Sequence, residues 1–534
     1  MIASVSFLLT IDRPILALVA TFLLLVVVLA VLAVKRLFFH PLSKFPGPRL
    51  GALTTYYKTY FEVWKGGELL REISRLHVTH GPVIRIGPNE LHFNDCRAFF
   101  DIYSVGSHLT KDPTFYSCFA VEGSAFGAID PQISKLRRGL MHSVLSRRSV
   151  LNIESLINHK VCTSIEVAGK GYLTTYLPYE QTDILISKLA NARGRPVDAF
   201  LAFRSASLDI ITSYMFGRSF DTLSYPNFDS PLVLDIQKAL PLLWIIKSFP
   251  WVILILSVLP KQFGGRLSDQ FSAFLSIKAA AMLMVKRTGQ QFMIHADSLV
   301  GTIYYQLQNP EKANSSGGNA NTSLYSLLDE SLSLLQAGSD TVGNTCTVGT
   351  FHILKNAAVH SRLVAELRSV WPDETEPIDL LSLQNSPYLT AVIKEALRLS
   401  HGIVTPLPRV VGPAGAVISN HHIPPKTVVG MSVTFVHLDP ILFPNPERFD
   451  PDRWLGPGFE QLGRYLVPFS AGPRMCLGTS MAWAELYFFF GHLFRRLDLQ
   501  LAEACADEDF CNYQNYFVPL HTSKHLQIKA TLRS

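Results

Sequence analysis

Ten residues near the C-terminus constrain this chain more than any other stretch. Phe469-Ser470-Ala471-Gly472-Pro473-Arg474-Met475-Cys476-Leu477-Gly478 reads F-x-x-G-x-R-x-C-x-G. Five fixed residue types in ten positions arise by chance in a chain of 534 residues with odds on the order of one in ten thousand. A plain buried cysteine in a turn, the ordinary fate of a free Cys, is therefore a poor account of the stretch. Gly472 and Gly478 let the backbone bend close to a flat ligand. Residues 479–486 have a helical pattern and start just past Cys476. Their N-terminal amides and dipole would point at the sulfur and lower its pKa. Arg474 can pair with a carboxylate.

These features together describe a haem-thiolate site, in which an axial thiolate pushes electron density onto the iron and favours O–O cleavage. The stretch resembles the haem-binding signature of the cytochrome P-450 family. The resemblance runs from about residue 40 to the C-terminus. It implies a mainly α fold with a small β region near residues 83–93 and 408–435, preceded by an N-terminal transmembrane helix. It also implies heme b, with Cys476 as the axial ligand and metal-binding residue, Arg474 on a propionate, and Phe469, Gly472 and Gly478 shaping the loop.

Composition and charge agree with a membrane-attached globular chain. It is 48% apolar and 17% charged, with a net charge of +6 and no long basic run, so nucleic-acid binding is not expected. Seven scattered cysteines without a C-x-x-C pair argue against a disulfide scaffold or structural zinc and for a reducing compartment. Residues 15–34 carry no charge and, as a helix, span about 30 Å, the thickness of the hydrocarbon core. Lys35, Arg36, Lys44 and Arg49 follow the run, whereas only Arg13 precedes it. The positive-inside rule then puts the bulk of the chain in the cytosol. The expected organisation is a short lumenal N-terminus at 1–14, an anchor at 15–34, a Pro-rich hinge at 35–50 containing Phe45-Pro46-Gly47-Pro48, and a catalytic domain at 51–534. Localisation is expected at the endoplasmic reticulum membrane, single-pass.

Four further stretches bear on the site. Residues 135–140 begin a helix, resembling the family's C-helix, where Arg138 matches the propionate-binding Arg. The aromatic or His partner four residues earlier is replaced here by Ser134. Leu324, Leu327, Leu328, Leu332 and Leu335 recur at helical spacing, and that helix carries Ala337-Gly338-Ser339-Asp340-Thr341. Gly and Ser are poor mid-helix residues, which suggests a local break. Gly338 would leave room for a small ligand, and the Thr341 hydroxyl can donate and accept a proton. A-G-x-D-T resembles the family's oxygen-activation motif, with Thr341 and Asp340 as catalytic residues. A Thr bonding back to its own helix is the competing account. Glu395-Ala396-Leu397-Arg398 lies in the amphipathic run 389–399, with Glu395 and Arg398 on one face. With Pro446-Glu447-Arg448-Phe449 it resembles the family's E-x-x-R and P-E-R-F pair, implying a structural triad of Glu395, Arg398 and Arg448. Arg409 matches a further propionate-binding Arg.

Three segments add detail. Residues 241–260 are strongly apolar but interrupted by Lys247 and Pro250, fitting either a buried helix or an interfacial segment. Residues 308–323 read as a flexible loop carrying sequons at Asn314 and Asn321. Residues 161–181 interrupt what otherwise reads as one helix. They are either a surface insertion or an unspliced intron.

The activity implied by the resemblance is a monooxygenase that inserts one oxygen atom from O₂ into an apolar small molecule. Electrons would come from NADPH through NADPH-cytochrome P-450 reductase, docking on the cysteine side. Residues 44–50 and 85–92 resemble fungal enzymes of the trichodiene-oxygenase type, so a terpenoid or other secondary metabolite is the expected substrate. The alternatives are a haem-thiolate isomerase or dehydratase that uses no O₂, and a non-catalytic membrane-anchored haem-binding protein.

Overall fold

The computed structural model describes residues 13–149, 177–258, 261–309, 323–502, 512–521 and 524–533. Its first element, α1 (Arg13–Phe38), is apolar throughout its centre and ends on Lys35 and Arg36. Residues 15–38 are long and apolar enough to cross a membrane, and their most apolar window is not buried against the rest of the chain. The helix runs past residue 34 through Phe38, because nothing in Lys35-Arg36-Leu37-Phe38 breaks it; Pro41 lies beyond. The Pro-rich segment that follows is docked. Leu42 and Phe45 are buried, and Pro46 O accepts from Arg85 N at 2.7 Å. Gly47 is required there, since a Cβ would lie 2.3 Å from Arg85 O.

The small β region forms where the alternating sequence places it. Five strands, β1 (Val83–Gly87), β2 (Glu90–Phe93), β3 (Thr110–Lys111), β4 (Arg409–Val410) and β5 (Val428–Gly430), make one sheet in the order β1-β2-β5-β4-β3. β2 and β5 run parallel; the other pairs are antiparallel. The β3–β4 register sets Lys111 directly opposite Arg409.

Ala416–Ile418 pairs with His421–Ile423 inside the expected region, whereas Val197–Asp198, Gln527–Leu532 and Leu497–Leu501 form a three-stranded sheet and Gln514–Tyr516 pairs with Val518–Leu520 outside it. Most of the remainder is helical. α2 (Pro131–Leu145), α3 (Leu177–Asn191), α4 (Ala199–Phe216) and α5 (Pro231–Ala239) precede a long helix, α6 (Leu324–Lys355). α7 (Pro387–Ser400) and α8 (Thr479–Arg496) complete the core. Every residue of α4 is buried, so it needs no polar face, and α6 lies directly across it. That contact explains the glycines of α6. A Cβ on Gly338 would lie 2.7 Å from Ile211 Cβ, and one on Gly343 would lie 3.1 Å from the Arg204 backbone. The expected break in this helix is absent: it is continuous, and its glycines serve close helix packing.

Residues 241–260 divide between the two readings. Leu242–Ser248 is buried through Leu242, Leu243, Trp244 and Ile246. Val252–Val258 buries Val252 and Leu256 but exposes Leu254 and Val258, next to exposed Trp251. Phe249 packs against Tyr56, Trp64 and Trp251, so the exposed apolar surface continues toward the start of the chain.

Residues 310–322 lie outside the described residues, and with them the expected loop and both sequons. Most of 161–181 also lies outside. The described part begins at Leu177, where α3 runs unbroken through Thr182, with Pro178 in the first turn, where proline is tolerated.

Candidate active site

A cavity of about 270 Å³ lies between α6 and the Cys476 loop. Its floor is the ten-residue stretch at 469–478. Cys476 N donates to Phe469 O at 2.9 Å, closing the loop on itself. Gly472 has a φ of +67°, and a Cβ there would lie 2.2 Å from Tyr103 O; only glycine fits this left-handed turn. Thr479 Oγ1 donates to Cys476 O at 2.9 Å as α8 begins. Burial pushes the Cys476 thiol up, while the Gly478 N–H, the Arg138 charge and Thr479 act in the opposite direction. The helix start therefore opposes the effect of burial without reversing it, since desolvation of the anion is the larger effect.

Four cations crowd the wall beside this floor: Lys111, Arg138, Arg409 and Arg474 all line the cavity. Arg138 Nη2 donates to Met475 O at 2.7 Å. Arg474 donates to Ala128 O and Ile129 O, both at 3.1 Å. Arg409 Nη1 donates to Tyr116 OH at 2.7 Å. Lys111 donates to Phe126 O and sits 4.2 Å over the Tyr116 ring. Backbone carbonyls and aromatic faces thus hold these groups, and no described salt bridge joins any of them to an acid. Burial pushes Arg474 down to about 10, with help from Arg409 and Arg138. Burial and the same arginines push Lys111 well down. Like charges directly opposite on paired strands destabilise a sheet, so Lys111 and Arg409 together call for an anion. Ser134 takes no part: it is buried, and its Oγ donates to Ala125 O at 3.3 Å.

The opposite wall is one face of α6. Glu330, Ser333, Leu334, Ala337, Gly338, Thr341, Val342 and Thr345 line it at helical spacing. Thr341 Oγ1 donates to Ala337 O at 2.7 Å, back-bonded to its own helix. Asp340 is buried, and its Oδ1 accepts from Arg204 Nε at 3.1 Å and from Gln237 Nε2. No described hydrogen bond joins Asp340 to Thr341, because successive helix positions face different neighbours. Gly338 lines the cavity and packs closely on Ile211, where an added Cβ would lie 2.7 Å from Ile211 Cβ.

The expected triad is corrected at one position. Glu395 is fully buried and accepts from Arg398 Nε at 2.9 Å and Nη2 at 2.8 Å. Its other donors are Arg453 Nε at 3.0 Å, Trp454 Nε1 at 2.9 Å and Asp450 N at 2.9 Å. Arg448 contributes only its carbonyl, to Arg398 Nη2 at 3.1 Å, and its own side chain is exposed. The third cation is Arg453. The turn after Phe449 carries Arg448 outward and brings Asp450 to Trp454 over the carboxylate. The sequence motif at 446–449 contains Arg448 alone, and Arg453 reaches the carboxylate only through the turn that follows it. Lys111, Tyr116 and Glu330 also went unread, since a strand register and a cavity wall leave no motif.

The family model described as Cytochrome P450 matches residues 60–526. The cytochrome P450 monooxygenase macH of Penicillium terrestre is 33% identical over 486 residues, covering 88% of this chain and 89% of the relative. The tryptophan 6-hydroxylase fscE of Fusarium equiseti is 34% identical over 475 residues, covering 88% of each. Among solved structures, the cytochrome P450DA heme domain aligns with a TM-score of 0.70 at 14% identity, covering 92% of this chain and 98% of that one; this likeness concerns the fold.

The corrected cluster yields a discriminating pair of variants. Arg453→Met should destabilise the protein by about 3–5 kcal/mol, because it removes a cation from a buried carboxylate. Arg448→Met should stay within about 0.5 kcal/mol of the parent. Thermal unfolding midpoints of the two variants measure the difference; equal losses would restore Arg448 to the cluster.

Proposed function

The chain belongs to the cytochrome P450 family, and from that premise we propose that it is a membrane-anchored haem-thiolate monooxygenase acting on a largely apolar fungal metabolite. The observation that carries this reading is the pairing of the Cys476 loop with four cavity-lining cations, Lys111 and Arg409 buried and Arg138 and Arg474 half-buried, that have no acidic partner among the described residues. A planar cofactor with two carboxylate arms fits that donor set: one thiolate beneath, and Lys111, Arg138, Arg409 and Arg474 for the carboxylates. When bound, the haem supplies O₂ activation and insertion of one oxygen atom into the substrate.

The chain's own residues have separable tasks. The loop closure from Cys476 N to Phe469 O fixes the direction of the sulfur. The four cations would hold the cofactor through its acidic arms. Phe119, Phe126, Leu240, Leu243 and Ile211 line the rest of the cavity and exclude water. Thr341 Oγ1 donates to Ala337 O and keeps its lone pairs to accept, so it can take and pass a proton at that oxygen. Asp340 can resupply Thr341 only after its carboxyl leaves Arg204 and Gln237. Reducing equivalents would come from NADPH through a cytochrome P-450 reductase meeting the Cys476 side. The fungal sources of the relatives and the apolar lining support a secondary metabolite, such as a terpenoid, as substrate. The helix at 13–38 followed by Lys44 and Arg49 supports a single-pass endoplasmic reticulum anchor with a cytosolic catalytic domain.

Three outcomes test this reading. Cys476→Ala should abolish the absorption band of the reduced CO complex near ~450 nm, since the axial sulfur sets it; an unchanged band would end the assignment. Thr341→Ala should bind cofactor and substrate normally, yet give roughly tenfold less product per NADPH consumed; unchanged yield would make Thr341 a packing residue. A chain lacking residues 1–38 should come off membranes in carbonate, yet keep weak vesicle binding through Trp251, Leu254 and Val258. Resistance to carbonate extraction would point to a second membrane-embedded segment.

A further inference from the structure

The cavity lining holds two acids that the reading above does not use, Glu330 and Glu485, and Glu330 is the one on the helix that carries Thr341. Glu330 lies on the cavity face of α6, in line with Thr341 and eleven residues before it, which places it about 16 Å away along the helix. It is 2% exposed, and the surrounding wall is apolar: Val121, Ala125, Phe126, Leu145 and Leu334. Its Oε2 accepts from Ala125 N at 2.9 Å, with Arg137 Nη1 at 3.9 Å. That arginine is not a full partner, because it donates to Ser326 Oγ. No described hydrogen bond engages Oε1. Asp329, one position back, differs: its carboxylate accepts from Gly123 N at 2.8 Å and so pins the loop at 123. One acid therefore suffices to tie this loop to α6, and the second is aimed into an apolar chamber.

We propose that Glu330 is a substrate-specificity residue that receives a cationic or strongly N–H-donating nitrogen at the end of the substrate remote from the oxidised carbon. The proposal rests on the monooxygenase reading and narrows its substrate class. A buried carboxylate is unfavourable unless fully paired, and a nitrogen cation completes the set that Ala125 N and the long Arg137 contact leave unfinished. Thr341, on the same helix face, marks the reacting end. The substrate is then amphipathic: a polar nitrogen at Glu330, an apolar body along α6, and the attacked position by the Cys476 loop. Burial pushes Glu330 up to about 7, with Ala125 N and Arg137 pulling down and Asp329 pushing up. Glu122 and Lys278 act on Asp329 from neighbouring elements. The preference for a cation should therefore strengthen as pH rises through this range, because the carboxyl is neutral below it and charged above it.

The test uses full-length haem-loaded protein in a non-ionic detergent and three probes that differ only in head group: dodecylguanidinium, dodecanol and dodecanoate. Guanidinium stays charged throughout and pairs with carboxylates bidentately. Equilibrium dialysis should show parent protein binding dodecylguanidinium on the order of tenfold more tightly than dodecanol, the worth of one charge-assisted hydrogen bond, with dodecanoate weakest. Glu330→Gln keeps an acceptor for Ala125 N and should level the guanidinium-to-dodecanol ratio, leaving dodecanol affinity within about twofold. Ser333→Lys, which supplies a cation one turn along the same face, should level it too and stands in should the first variant not fold. An unchanged ratio in either variant, or no cation preference in the parent, overturns the proposal and leaves Glu330 as a loop anchor. The band of the reduced CO complex, read on the same samples, reports separately on the haem-thiolate reading.

Discussion

A single buried carboxylate, Glu395, organises the side of the molecule on which Cys476 sits. Its oxygens take five donors from two separate stretches of chain: two from Arg398, and one each from Arg453, Trp454 and Asp450 N. Arg398 extends the network by donating to His437 O at 2.9 Å. The His437 ring in turn accepts at Nε2 from Val467 N at 3.0 Å, two residues before Phe469, whose carbonyl receives Cys476 N. A continuous path of hydrogen bonds thus runs from a helix carboxylate to the sulfur loop. Glu395, Arg398, His437 and Val467 are buried, so their links are strong for the same reason that their loss is costly. The path also fixes the charge of His437: an Nε2 that accepts cannot be protonated, and burial beside Arg398 and His401 drives its pKa well down.

The opposite electrostatic situation holds on the other side of the cavity floor. There, Lys111 and Arg409 face each other across a strand pair, with Arg138 and Arg474 close by, and no acid among the described residues forms a salt bridge with them. Native interiors do not keep such clusters without a counter-charge. The Glu395 network is therefore complete within the protein, while the cation cluster is complete only with an anionic guest. This contrast separates a structural charge cluster from a binding one, although both are built around arginines.

The sequence was most informative where covalent spacing carries the chemistry. The Cys476 loop, the Thr341 helix, the Glu395 helix and the first β-hairpin are all legible because their residues are neighbours in the chain, and periodicity or turn chemistry places them. What escaped depended on contacts between distant segments. Lys111 joins the cations only through the β3–β4 register. Arg453 displaces Arg448 through the direction of one turn. The packing of Gly338 on Ile211 was hidden because α4 is more than a hundred residues away. Residues 241–260 resisted assignment for a different reason: the segment is two short helices, one inward and one half-exposed, so either single description was half right.

The glycines of α6 show how packing constrains the catalytic face. Each glycine weakens an isolated helix by about 1 kcal/mol relative to alanine, and α6 carries them at 338, 343 and 349. All three face a close neighbour: Ile211, Arg204, and Phe490 with Ala396. The close approach at 343 brings the Arg204 backbone against α6, and from there its guanidinium reaches Asp340. The same packing that seats α6 therefore also places the cation that restrains Asp340. Thr341, one position on, is turned toward the cavity and escapes that restraint. Proton supply at Thr341 and helix packing at Gly343 are thus coupled through Arg204: loosening the α4–α6 contact would free the acid and blunt the definition of the wall at once.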